Sequence, residues 1–292
     1  MNSENVKKCN LCGKENPKLL FYLHHRQIVQ CRECKLRYVN WEPSDKDIKR
    51  MYQEDEYRKN WGDSDELISL RVNSLRGEYK RISEYVSQGR ALDLGCARGH
   101  FLNFLKERGW DVYGLELSEE SASFGRDSFG LNITLGTIEE SGFPDEYFDL
   151  VTLWGVIAHL QDPQQTVGAI SRVMKEGGIL AINTHDEDWF MTGIFHFLYR
   201  LFPQLMLPYL QAMYDYEHIY FFSRKTLTDM LMKKGFKVLK VFPEEPYSLR
   251  FQLYNFPWWA RVSAKIMTSV DRLLGTGRKM VVYARKDRKK NG

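Results

Sequence analysis

Between residues 90 and 184, short apolar runs alternate with stretches whose apolar positions recur every three or four residues. The runs RALDLG (90–95), WDVYGLEL (110–117), LNITLG (131–136), FDLVTLW (148–154) and GILAINT (178–184) read as strands. They show almost no polar alternation, so both faces of each strand are expected to be covered. HFLNFLKERG, a segment from about Ser118 to Phe129, and DPQQTVGAISRVMKEGG carry helical spacing. The last is expected to end at a glycine cap. One more strand, KMVVYARK, lies near the end of the chain. Strands alternating with helices predict an α/β fold, with a doubly wound, mostly parallel sheet.

Two regions flank this pattern. Residues 1–42 hold short strands, QIVQC and LRYVN, around two cysteine pairs. Residues 43–88 are polar with apolar positions at helical spacing and read as linking helices, one starting near PSDKDIKRMY. The main domain is expected over 89–292, with insertions at about 188–222 and 247–276. The first insertion contains WFMTGIFHFLYRLFPQLMLPYLQAMY, too short and too broken by Arg200, Pro203 and Pro208 to span a bilayer. It reads as a helical cap over an acceptor site, with a membrane-surface helix or a dimer contact as competing accounts. The second contains FQLYNFPWWARVSAKIMTSVDRLL. Two aromatic-rich insertions fit either an apolar or lipid-linked acceptor or ordinary core.

The cysteines add chemistry. Cys9, Cys12, Cys31 and Cys34 form C-x2-C-x18-C-x2-C. Two residues between thiolates let both sulfurs of a turn face one ion, and the second turn closes a tetrahedron. This spacing predicts a structural zinc site, with an iron–sulfur centre or unliganded thiols as alternatives. His24 and His25 lie between the pairs and read as surface residues. The formal net charge of +4 over 292 residues is only mildly basic and argues against a nucleic-acid partner. The basic end, ARKDRKKNG, reads as a solvated terminus. No signal-peptide pattern opens the chain, which is expected to be cytoplasmic.

The turn in ALDLGCARG (91–99) raises the question of a ligand. A dinucleotide-binding turn would read G-x-G-x-x-G, but here Cys96, Ala97 and Arg98 separate Gly95 from Gly99. Asp93, just before the turn, would repel phosphate and suits a cationic ligand. Glu116 ends the next strand, where an acid accepts hydrogen bonds from ribose hydroxyls. A ribose, a positive charge and no phosphate fit S-adenosylmethionine.

With ALDLGCARG, YGLELS, GTIEESGFPDEYFDLVTLWGVIAHLQDP and VMKEGGIL on the page, the chain resembles class I S-adenosylmethionine-dependent methyltransferases over residues 90 to about 242. The resemblance implies a Rossmann-like sheet. It implies that Asp93, Gly95 and Gly99 line the methionine and ribose side; Cys96, in the same turn, is counted with them as cofactor-binding and reads as small packing rather than a nucleophile. Glu116 and Leu117 would hold the ribose and flank adenine, Thr137 and Ile138 would lie at the adenine edge, and Trp154 near the sulfonium. The family often has Asp where Thr137 stands, and Glu-His where Ala158-His159 stands. The cysteine pairs together with YEHIYFFS resemble sugar C-methyltransferases. That likeness implies His218 as the base that takes the acceptor's proton, with Glu217 as its partner, and brings Tyr52 and Tyr57 within reach.

Three functions follow as expectations. The first is methyl transfer to a small molecule such as a sugar, a nucleotide sugar or a lipid-linked intermediate. The second is RNA methylation with the zinc module gripping RNA. The third is a non-catalytic binding protein on the same fold.

Overall fold

The computed structural model describes residues 7–23, 26–41, 75–214, 217–244 and 258–287. The linking helices expected before residue 75, His24, His25, Tyr52, Tyr57 and the basic end beyond 287 lie outside the described residues. Residues 75–82 are helical.

The main sheet has seven strands. Four central ones are β4 (Arg90–Leu94), β5 (Asp111–Glu116), β7 (Phe148–Trp154) and β8 (Met174–His185). With β6 (Asn132–Leu135), β10 (Phe236–Pro243) and β11 (Lys279–Lys286), the order is β10-β11-β8-β7-β4-β5-β6. The five strands from β8 to β6 are parallel, and β11 is antiparallel to both β8 and β10. This is the mostly parallel, Rossmann-like sheet expected from the sequence.

Both faces are buried, which explains the continuous apolar strands. Leu92, Leu94, Val151, Leu153, Leu180 and Ile182 belong to one core, and Ala91, Leu150, Ile179 and Ala181 to the other. Successive side chains point to opposite faces, so the central strands feed both cores; the edge strand β6 departs from the expectation, since only Ile133 of its four residues is buried. Helices α1 (His100–Lys106), α2 (Glu119–Phe129), α3 (Pro163–Val173) and α6 (Arg224–Lys233) connect the strands; α4 (Phe190–Leu201), α5 (Pro203–Met213) and α7 (Trp258–Leu274) lie in the insertions.

Helix α3 corrects one expectation. Asp162 caps its start by accepting from the Gln165 amide at 2.9 Å, but the helix stops at Val173, not at the glycines. Met174 already has extended backbone, and the Gly177–Gly178 pair lies inside β8. There the register against β7 shifts between Phe148 and Leu150. Gly177, at φ 77°, serves this irregularity and not a helix cap.

The cysteine segment builds a second, antiparallel sheet: β1 (Pro17–Leu23), β2 (Arg26–Cys31), β3 (Arg37–Val39) and the two-residue β9 (Tyr220–Phe221). Strand β9 comes from the first insertion, so β1–β3 and the main domain share one sheet. Val29, Tyr38 and Tyr220 face the main core, while Ile28, Val39 and Phe221 face the α4–α5 hairpin. The hairpin therefore seats its inner side chains, Phe195, Tyr199, Leu207 and Leu210, on this small sheet. Among the described residues, no helix is long and apolar enough to cross a membrane.

Candidate active site at the carboxyl ends of the sheet

Strand β4 runs into a tight turn and then α1. Gly95 and Gly99 have φ of 66° and 74°, a region that side chains avoid. A Cβ on Gly95 would lie 2.6 Å from Val156, and one on Gly99 would meet Leu131. Ala97 between them also has positive φ, 48°. The Gly95 and Cys96 amides both donate to Leu115 O, at 2.8 and 3.1 Å, which folds the turn over β5.

Glu116 ends β5 and is buried. Its Oε2 accepts from the Ala97 amide at 2.8 Å, and its Oε1 from the Leu117 and Ser118 amides at 2.8 and 2.9 Å. The carboxylate thus joins the two turns. Ser118 then caps α2 by accepting from Ser121 N. The next turn is adjacent, because Gly136 N donates to Glu116 O at 3.0 Å. Beyond it Thr137 is exposed and Ile138 buried. Leu117 is exposed.

Asp93 is buried beside these turns. Thr152, its neighbour on β7, donates to Asp93 Oδ1 at 2.6 Å. Burial pushes the Asp93 carboxyl up to about 7; the Thr152 hydrogen bond opposes this, and the nearby Glu116 carboxylate adds to it. Two carboxylates in a dry pocket favour a positive ligand. Trp154, at the end of β7, packs edge-on against Phe101. Its Nε1 is buried with no hydrogen-bond partner among the described residues. Such an orphaned donor is rare and fits a bound acceptor atom. Cys96 is different: its sulfur lies where a Cβ on Gly114 would be, and burial pushes the thiol well above its usual range. It packs against the turn.

A cluster of three histidines stands at the end of β8. His218 lies between His159 and His185, with ring centroids at 4.5 and 4.7 Å. Its Nδ1 is 3.3 Å from His185 Nδ1, and His159 Nδ1 is 3.1 Å from Glu217 O. A carbonyl only accepts, so His159 Nδ1 is the donor. Burial lowers all three, His159 to about 4, and Lys279 adds to the effect on each. All three are therefore neutral imidazoles at neutral pH. Glu217 is half-buried and reaches this cluster through its backbone carbonyl. Beside the cluster, Arg37 of β3 pairs with Glu187, which also accepts from Tyr214 Oη at 2.9 Å.

Sequence reading missed Thr152 and His185. Each is a polar residue in or at the end of an apolar strand, FDLVTLW and GILAINTH, and that break in pattern is their signal.

The four cysteine sulfurs lie within 4.8 Å of one another. Cys9–Cys34 and Cys12–Cys31 are each 3.4 Å apart. Four thiolates around a zinc ion at about 2.3 Å would sit close to 4 Å from each other, so the donor set fits zinc. The first cysteine turn is docked on the main domain: Asn10 donates to Asp162 at the α3 cap, and Lys233 donates to Leu11 O.

The sheet places its polar residues beyond the carboxyl ends of parallel strands, the ligand-binding edge of open α/β proteins. A family model described as a methyltransferase domain matches residues 68–241. An uncharacterized protein of Methanocaldococcus jannaschii is 26% identical over 186 residues, covering 64% of this chain and 80% of that protein. A ubiquinone biosynthesis O-methyltransferase of Methylococcus capsulatus is 30% identical over 132 residues, 42% of this chain. The chain matches 56% of the length of that relative. Among solved structures, an S-adenosylmethionine-dependent methyltransferase from Archaeoglobus fulgidus has a TM-score of 0.53 at 22% identity, over 74% of this chain and 94% of that one. The [4+2]-cyclase SpnF has a TM-score of 0.55 at 14% identity, over 85% and 98%. The match spans more than half of the sequence: the chain belongs to the methyltransferase domain family. The cyclase shares the fold, so the reaction has to be argued from the site.

Proposed function

We propose that the protein transfers a methyl group from S-adenosylmethionine to a small-molecule acceptor, such as a sugar, a nucleotide sugar or a lipid-linked intermediate. The observation that carries this reading is the pair of buried acids, Asp93 and Glu116, on turns that interlock through the Ala97 amide. Asp93 would balance the positive end of the cofactor. Glu116 would accept from the ribose hydroxyls, Gly95 and Gly99 would let the backbone approach, and Leu117, Thr137 and Ile138 would enclose the adenine. Trp154 would give its free N–H to the ligand near the sulfonium. When bound, S-adenosylmethionine supplies an activated methyl group. The protein's part is to hold that methyl in line with the acceptor atom and exclude water.

An acceptor atom that keeps its proton at neutral pH needs a base. His218 is proposed for this on the YEHIYFFS resemblance, with Glu217 beside it in sequence; burial leaves it unprotonated but also weakens it as a base. The Methylococcus capsulatus relative, by its name, is an O-methyltransferase, which supports oxygen as an acceptor atom next to the sugar carbon that YEHIYFFS suggests. His218→Ala is expected to leave cofactor affinity within twofold and to lower turnover by about a hundredfold or more. Normal turnover in that variant would make His218 structural.

The Asp93 shift gives a second test. A cation bound beside Asp93 lowers its pKa, so below about 7 binding must expel a proton. S-adenosylmethionine affinity is therefore expected to rise with pH up to about 7 and then level off. Calorimetry near pH 6 in two buffers of different ionisation enthalpy reads the released proton directly. Equal enthalpies in both buffers would remove Asp93 from the cofactor site. No binding of S-adenosylmethionine or S-adenosylhomocysteine at all would favour the non-catalytic reading.

The cysteines would hold zinc, which supplies a cross-link for a segment with little core of its own. The proposed organisation keeps 1–42 as the zinc module and 89–292 as the methyltransferase domain.

A further inference from the structure

The α4–α5 hairpin has two apolar faces, and the fold uses one. The inner face is seated on the small sheet. On the outer face Ile194, Phe197 and Leu201 of α4, Phe202 between the helices, and Leu205 and Tyr209 of α5 are 43–63% exposed. The spacing, three then four residues on α4 and four on α5, makes one stripe per helix. Six large exposed side chains in one hairpin exceed what a monomer scatters over its surface. Helix α7 repeats the device: Val262, Ile266 and Leu273 form an exposed stripe, Leu273 at 86%. Trp189, at the start of α4, donates to Asp271 of α7 at 2.7 Å, so the two insertions are tied together. Both spring from the end of the sheet where β8 stops and β11 starts, and Lys279 pairs with His185 there. That is also the end with Asp93, Glu116 and the histidines.

The charges on these helices select the occupant. Helices α4 and α5 contain no acidic residue, and Arg200 is exposed within the apolar stripe. On α7, Lys265 and Arg272 are exposed, whereas the one acid, Asp271, is buried under Trp189 and Thr276. The described exposed charges on all three helices are therefore positive. A second copy of the chain would bring these like charges together across a two-fold axis. An anionic lipid surface complements them, and short helices with aromatic and aliphatic outer faces suit the plane of a bilayer interface. We infer that the α4–α5 hairpin, assisted by α7, docks the protein on an anionic membrane surface. An acceptor resident in that surface then meets the open end of the sheet.

The test is co-sedimentation of the full chain with phosphatidylcholine vesicles, with and without phosphatidylglycerol, at low and high salt. The wild-type protein is expected to sediment with phosphatidylglycerol vesicles, less so at high salt, and to remain in solution with phosphatidylcholine alone. Phe197→Ser/Leu205→Ser is expected to bind at least tenfold more weakly, with unchanged melting temperature because both side chains already face solvent. Wild-type protein left in solution with anionic vesicles would overturn the inference. So would equal binding by the double variant, or a wild-type dimer that the double variant dissociates. The assay contains no methyl acceptor, so its failure leaves the methyltransferase reading in place.

Discussion

Glu116→Ala is expected to weaken S-adenosylmethionine binding by a hundredfold or more, the largest effect of any single change in the cofactor site. A hydrogen bond to a charged group contributes about 1.5–3 kcal/mol, and a polar partner left unpaired in the site costs about 1–3 kcal/mol more. The loss of about 3 kcal/mol or more corresponds to about two decades in affinity. The same substitution strips an acceptor from the Ala97, Leu117 and Ser118 amides, so the melting temperature should also fall. Glu116→Gln separates the two effects, because an amide oxygen still accepts from some of these donors. Calorimetry with both variants decides the matter; wild-type affinity in Glu116→Ala would refute the ribose assignment.

The second large effect is expected from Cys31→Ser. Structural zinc contributes on the order of 10 kcal/mol to the folding of small cysteine-bound modules. Cys31 ends β2, and the chain then turns into β3, with Lys35 N donating to Cys31 O at 3.1 Å. Loss of the ion should unravel β1–β3 and expose them to protease. The damage should reach further, because β3 pairs with β9 through Arg37–Phe221 and Tyr38–Tyr220, two residues beyond His218. The variant is expected to contain no zinc and to lose methyl transfer, while the β4–α1 turn keeps its cofactor affinity. One zinc per chain by mass spectrometry, with wild-type melting, would rule out the four-cysteine site.

The local pattern made much of this legible. Four of the five parallel strands announce themselves as apolar runs because they are buried on both faces; the edge strand β6 buries only Ile133. The strand–turn–helix at ALDLGCARG shows its glycines and its acid within nine residues. The cysteine spacing is likewise a local property, since two knuckles need only a few residues each. Where the reading of the sequence went astray, the local signal was ambiguous. A glycine pair after a helical stretch marks a cap or a bulge equally well, and pairing with β7 made it a bulge.

By itself, then, the sequence determined the parallel sheet, the glycine turn after β4, the two acids beside it and the cysteine quartet, because each is written in neighbouring residues. Only the tertiary structure decided that β9 completes the cysteine sheet. A two-residue strand has no periodicity to detect, and its partner lies about 180 residues away in the chain. The same holds for the three histidines, which come from the ends of different elements and meet only when β7, β8 and the segment before β9 are brought together. The outer apolar stripes of α4 and α5 are also a tertiary result. The sequence shows a stretch that is almost all apolar, and only packing against the small sheet shows which side is left facing solvent.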